Sequence, residues 1–379
     1  MLGLSNAMTS GSYHEQQYSL LLDGNSDYLR IEDNAALRGF SAFSVSVWAK
    51  ADSKGNYERI IDYCSSAGNE DLKFRFLFNS ATDQAIYARV GLQNGSGYSV
   101  TDPTAFPTGE WVHYILTFKN TGAGGATPRL KLYKNGNTTP VATNDAHGSD
   151  LDNTSTGPLL IGTQPYSPAG HWWDGNIDEV AIWNTDLDAN AVEAVYNSGK
   201  PFDLNYDRGY YDNSSALVGY WRMFNGPFDD LQNGVVHDAH NPGFGAELAS
   251  EGDFSGADDG NPWTTAAGWT IANGVATCSS GNDNLEQNVS AQAGKTYKIT
   301  VNVTLTSGRL DIDIGDCTAQ STTSSGTQTF YMVAVNTDNL RFYGGAFRGS
   351  IDNVSVVQLN GHPGLTAATA TFSADTPDD

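Results

Sequence analysis

Cysteine is nearly missing from this chain of 379 residues: there are three, at positions 64, 278 and 317. None stands in a CxxC-like spacing, so neither a disulfide framework nor a zinc site is written into the sequence. Free buried thiols are the simple reading, with a bridge between Cys278 and Cys317 left open. Basic residues are scarce as well. Lys and Arg number 20 against 43 Asp and Glu, a formal net charge of -23. A surface of that sign repels phosphate backbones and anionic lipid, which argues against nucleic acid and membrane as partners. No run approaches the ~20 consecutive apolar residues that a membrane-spanning helix needs. Met1 to Tyr13 also lacks the basic and apolar regions of a secretory signal.

Glycine is plentiful, at 41 residues, Asn, Ser and Thr crowd the loops, and hydrophobic residues make up 39%. That mixture suits short strands and tight turns better than long helices, and it is too apolar for a wholly disordered chain. At ~100–200 residues per domain, the length predicts two or three domains.

Residues 1–17 read as an N-terminal arm. Strand signals begin at Tyr18 to Leu22 and Tyr28 to Ile31, a hairpin-like pair around Asp23-Gly24. Phe43-Ser-Val-Ser-Val-Trp alternates at period two, placing Phe43, Val45, Val47 and Ala49 on one core face. Further strands are expected at 59–63, 74–78, 85–90, 111–118, 129–133, 159–161 and 177–183, and one helix at Asp188 to Ser198. A connector with one strong strand, Leu217 to Phe224, spans 203–246. A second β-rich block occupies 247–358, and an acidic tail, 359–379, is expected to fray or to dock on a partner. The two blocks echo each other. Trp173-Asp-Gly-Asn-Ile-Asp-Glu-Val-Ala-Ile and Phe347-Arg-Gly-Ser-Ile-Asp-Asn-Val-Ser-Val share aromatic, Gly, Ile, Asp and Val in register. The expected fold is all-β: two antiparallel jelly-roll β-sandwiches, 18–202 and 247–358, joined by the connector.

The first block resembles the laminin-G-like, concanavalin A-like jelly roll. The resemblance is carried by Tyr18-Ser-Leu-Leu-Leu-Asp-Gly, Phe43-Ser-Val-Ser-Val-Trp, Trp111-Val-His-Tyr, Leu132-Tyr-Lys-Asn-Gly and Gly175-Asn-Ile-Asp-Glu-Val-Ala-Ile-Trp, in the family's order. The second block is similar to jelly-roll carbohydrate-binding modules through Glu251-Gly-Asp-Phe, Gly268-Trp269 and Gly349-Ser-Ile-Asp-Asn-Val. Such pairs resemble virion proteins of marine tailed bacteriophages. This implies a component of capsid or tail, made in a host cytoplasm and displayed on the virion surface, with other virion proteins or further copies of itself as partners.

Glycoside hydrolysis requires two carboxylates flanking the scissile bond. The family's strand with two Glu and an Asp alternating is absent, Asp178 and Glu179 are adjacent, and Asp311 and Asp313 read as the solvent side of a strand. The expectation is therefore no enzyme. Both resemblances imply a structural calcium (Ca2+), with Asp23 and Asp178 meeting in the first block and Asp253 and Asp352 in the second. Turn capping and backbone hydrogen bonding explain the same aspartates equally well. Sugar binding needs exposed aromatic faces beside planar polar groups. Tyr166, His171 and Trp172 in the first block and Trp263 and Tyr343 in the second are the candidates, with Trp173 assigned to the core. The leading expectation is a non-enzymatic virion or surface protein, decorating or fibre-like, with either an affinity for glycans or a host surface or a purely structural role. The alternative is a carbohydrate-active enzyme or its accessory module. The uncharged arm, with Met1, Leu2, Leu4 and Met8 to bury, is expected either to lie on another chain or to fray as a mobile terminus.

Overall fold

The computed structural model describes residues 17–65, 72–79, 84–92, 97–120, 129–145, 156–165, 171–256, 262–279, 284–343, 346–367 and 370–378. The arm Met1 to Tyr13 and Tyr166 lie outside them. Four sheets form two sandwiches. In the first, one sheet runs Ala142–Asn144, Leu130–Lys134, Val112–Lys119, Ala42–Ala51, Asp174–Trp183, Ser19–Asp23 and Thr371–Ser373. The facing sheet runs Val235–Val236, Gly364–Thr366, Leu29–Ile31, Leu159–Ile161, Arg59–Cys64, Leu72–Phe78, Ile86–Gly91 and Gly97–Thr101. Neighbouring strands are antiparallel. The second sandwich sets the sheet built on Thr296–Ser307 and Arg348–Leu359 against the one built on Leu310–Ile314 and Leu340–Tyr343. Each sandwich has its own apolar core.

The period-two reading of Phe43, Val45, Val47 and Ala49 holds, since all four are buried in the first core. The other face of that strand is covered too. The helix Ala189–Tyr196 is capped by Asp188, whose Oδ1 accepts the Ala191 N–H at 2.8 Å. It lays Ala191, Val192 and Val195 with Leu204, Tyr211, Leu217 and Tyr220 over Ile115, Ala181 and Trp183. The connector is thus bound into the first sandwich, and its Leu217–Trp221 strand pairs with Asp174–Trp183.

Two expectations are corrected. Tyr18 to Leu22 and Tyr28 to Ile31 do not form a hairpin, because Ser19–Asp23 and Leu29–Ile31 enter opposite sheets. Both strands bury alternate residues against the same core, so the chain crosses between layers at the Asp23 turn. The acidic tail does not fray over its described residues. Gly364–Thr366 pairs with Leu29–Ile31, and Thr371–Ser373 pairs with Ser19–Asp23. Asp375 then bonds Lys50 and accepts the Trp111 Nε1–H at 2.8 Å, and its carbonyl accepts the Ser19 hydroxyl at 2.6 Å. The second jelly roll is therefore inserted between segments of the first. Its entry and exit strands, Phe244–Glu247 and Arg348–Leu359, lie side by side.

The sequence echo is an echo in conformation. Trp173 and Phe347 are both fully buried. Gly175 and Gly349 both have positive φ, 132° and 155°, and a Cβ on either would run into a backbone carbonyl, that of Lys50 or Thr304. Register slips follow in both strands, between Asp178 and Ala181 and opposite Thr300 and Asn302. These are β-bulges, which twist a strand and re-aim its side chains.

Candidate functional site

Three chain segments converge at one end of the first sandwich. Trp173 anchors there, stacked on Phe78 at 5.0 Å and edge-on to Phe106 at 5.8 Å. Its neighbour Trp172 is half-buried and lies along Tyr28, ring centroids 5.9 Å apart and planes 30° apart. His171 meets Tyr57 edge-on at 6.2 Å, and its carbonyl accepts the Arg59 N–H at 3.1 Å. Tyr57 is exposed, at 43%, on a backbone with φ of 60°. Beneath it the Arg59 guanidinium donates to the Tyr57 carbonyl at 2.8 Å, to Asp62 at 3.1 Å and to Gln164 at 3.1 Å.

The polar groups of this end are tuned by burial. Desolvation, with the Asp174 charge adding to it, pushes the Glu58 carboxyl up to about 7. Burial and the nearby Arg59 charge lower the His171 pKa, favouring neutral imidazole. Flat aromatic faces beside hydrogen-bonding groups are the chemistry that stacks a pyranose ring and reads its hydroxyls. Of the expected residues, His171 and Trp172 are chain neighbours whose rings meet different partners, Tyr57 and Tyr28. Tyr28 and Tyr57 were not singled out from the sequence, although Gly55-Asn56 before Tyr57 marked an exposed turn.

In the second block Trp263 is corrected from a stacking face to a core side chain. It packs on Phe254 and Phe342 and donates its Nε1–H to the Ser250 and Glu251 carbonyls, both at 3.1 Å. Tyr343 is half-exposed opposite Asp311. Burial and then the hydrogen bond to Asp313 push its phenol up to about 12. Leu310, Ile312 and Ile314 point inward as expected. Asp311 and Asp313, however, are covered rather than solvated, paired with Arg309 at 2.7 Å and Arg341 at 2.9 Å.

The four aspartates expected at calcium serve the backbone. Asp23 Oδ1 accepts the N–H groups of Asn25, Ser26 and Asp27 at 2.9, 2.8 and 3.1 Å, and its register partner is Asp174 rather than Asp178. Asp253 caps a turn through the Ser255 N–H, and Asp352, opposite Asn302, accepts the Asn353 N–H at 2.6 Å. Asp178 is fully buried, with Oδ1 accepting the Glu179 N–H at 2.8 Å and Oδ2 without a partner. Among the described residues no group of three or more His, Cys, Asp or Glu is gathered to hold a metal ion.

The bulge turns the Asp178–Glu179 pair into a sealed cluster. Glu179, at φ 47°, accepts from Arg222 Nε at 3.0 Å and from the Tyr220 hydroxyl. Burial and the adjacent Glu179 charge raise the Asp178 pKa well above the usual carboxylate range.

Residues 23–193 match the laminin G family described as the Concanavalin A-like lectin/glucanases superfamily, so the first sandwich is similar to that family's domain. Among solved structures, the chain is similar to a putative carbohydrate binding protein from Bacteroides ovatus, at 18% identity over 59% of this chain and 56% of that one, with a TM-score of 0.43. It is also similar to a sialidase carbohydrate-binding module from Ruminococcus gnavus bound to α2,3-sialyllactose, at 14% identity over 50% of this chain and all of that one, TM-score 0.39. A heptameric pentraxin from Limulus polyphemus matches at 18% identity over 49% of this chain and 84% of that one, TM-score 0.38. No curated protein matches the sequence.

Proposed function

We propose that this protein binds glycans without acting on them, through the aromatic end of its first jelly roll. The observation that carries the reading is the convergence of Tyr28, Tyr57, His171 and Trp172 above the Arg59 hydrogen-bond network. The lectin description of the matched family supports it. The glucanase half of that description needs a carboxylate pair open to a substrate. Asp178 and Glu179 are buried beneath Tyr220 and Arg222, and Asp311 and Asp313 are held by arginines, which supports a binding protein over an enzyme. A virion or other surface component, presenting this end outward, is the finer form of the proposal. It rests on the resemblance of the paired jelly rolls to such proteins, a fold-level analogy.

The test is an array of neutral, sialylated and sulfated oligosaccharides probed with the full chain and with Trp172→Ala. Binding by the full chain that falls at least about tenfold in the variant is expected, since removing a stacked ring costs on the order of 1.4 kcal/mol. Binding unaffected by the substitution would move the site elsewhere. Absence of binding across the array would end the glycan reading.

A further inference from the structure

The connector carries the two most exposed large aromatic side chains among the described residues, Tyr210 at 75% and Tyr206 at 69%. They stand on two successive turns: Tyr206 closes the first, its N–H donating to the Asp203 carbonyl at 3.3 Å, and Tyr210 lies in the second. Arg208 and Tyr211 exchange N–H to carbonyl bonds of 2.8 and 3.0 Å around Gly209 and Tyr210, with Gly209 at φ 62°. Glycine at the first central position is what such a two-residue loop asks for.

The turn is pinned from below. Tyr211 is fully buried, donates its hydroxyl proton to the Leu204 carbonyl at 2.7 Å and accepts the Trp183 Nε1–H at 3.0 Å. The Arg208 guanidinium lies 5.3 Å over Phe202, and Asp207 Oδ1 accepts the Ser214 N–H at 3.0 Å. Two rings held outward on a fixed backbone lose little freedom on binding, which separates a platform from a loose loop.

We infer that Tyr206 and Tyr210 form a second glycan-stacking platform, separate from the aromatic end of the first jelly roll and selective for uncharged oligosaccharides. The size of the patch decides against a protein partner. Two tyrosines at these exposures offer ~300 Å² between them, well below the roughly 800 Å² per partner of a standard protein interface. A short oligosaccharide matches the smaller area. The charge decides the sugar class. Asp203, Asp207 and Asp212 surround the turn with Arg208 as the nearby cation, on a chain of net charge -23, so carboxylated or sulfated sugars are repelled. The polar side chains beside the rings supply acceptors and a donor for neutral hydroxyls.

The inference rests on the glycan-binding reading, and one experiment separates the two. The same array is probed with the full chain, Trp172→Ala, the double variant Tyr206→Ala/Tyr210→Ala and the conservative Tyr206→Phe/Tyr210→Phe. The strongest neutral oligosaccharide is then titrated calorimetrically against each. The expected result is an affinity about tenfold weaker for the double alanine variant, within threefold of the full chain for the double phenylalanine variant, and an unchanged melting temperature for both. Neutral binding lost in Trp172→Ala and untouched in the double alanine variant overturns the platform and leaves the glycan reading standing. Binding through the tyrosines restricted to sialylated or sulfated sugars overturns the assignment to neutral glycans. A full chain that binds nothing on the array overturns both.

Discussion

Glu179 and Asn353 occupy the same irregularity in two different sheets. Each has a left-handed backbone, φ 47° and 51°, and each donates its N–H to the carboxylate of the aspartate before it. An Asp at this place satisfies an amide that the slipped ladder leaves without a strand partner, a local duty shared by the two copies of Ile-Asp-x-Val. What differs is the surroundings. Glu179 is sealed between Arg222 and Tyr220, whereas Asn353 is exposed.

The paired glycines test whether the two sandwiches melt separately. Gly175→Ala and Gly349→Ala each force a Cβ against a carbonyl at positive φ, a cost of about 2–4 kcal/mol. Calorimetry is expected to show two transitions, with Gly175→Ala lowering one and Gly349→Ala the other. A single transition lowered equally by both would mean one cooperative unit.

Asp178 sets a pH dependence of known sign. Its folded pKa is raised, so its favourable contribution is complete below the ordinary aspartate value and is lost as pH rises through the folded value. Asp178→Asn keeps an oxygen for the Glu179 N–H and removes the buried ionisation. The variant is expected to be more stable than the parent at pH 7 and equal to it near pH 3, by urea denaturation at both pH values.

His237 works in the opposite direction. It is fully buried among Phe228 and Phe244, with neither ring nitrogen hydrogen-bonded. Burial, with the Lys298 charge adding to it, lowers its pKa to about 4. Its contribution is present above the ordinary histidine value and is lost as pH falls toward 4. His237→Phe is expected to blunt the acid limb of the stability profile by about 2 kcal/mol, read as melting temperature between pH 7 and pH 4. An unchanged limb would show that the ring finds a proton acceptor.

Asp375 ties the last strand down through Lys50 and Trp111. Asp375→Ala removes both contacts and is expected to cost about 1–2 kcal/mol, seen in the transition that Gly175→Ala also lowers. Removing residues 364–378 uncovers the edges of Ser19–Asp23 and Leu29–Ile31, and light scattering should then report association.

Most strands were legible because alternation and turn residues are local signals. Leu159–Ile161 and Leu310–Ile314 lie where periodicity placed them, and the Asp188 cap marked the helix. Long-range partnership was not legible. Gly364–Thr366 and Thr371–Ser373 are three residues each, without an apolar period, and exist as strands because vacant edges of a distant block accept them. Trp263 looked like a surface ring among polar neighbours until Phe254 and Phe342 closed over it. The aromatic end of the first jelly roll was half visible. His171 and Trp172 are adjacent in sequence, but Tyr28 and Tyr57 reach them only through the two-layer fold.

Segments that are neighbours in the first sandwich lie far apart along the chain. Strand Ser19–Asp23 leaves the exit tunnel early, yet its neighbour Thr371–Ser373 follows the whole second jelly roll. The later jelly roll is contiguous and closes on its own entry strand, Phe244–Glu247. It can finish while the first still waits with open edges. Domains usually mature in the order of synthesis; here the later jelly roll lies between segments of the earlier one, and Thr371–Ser373 closes that earlier sandwich as a latch.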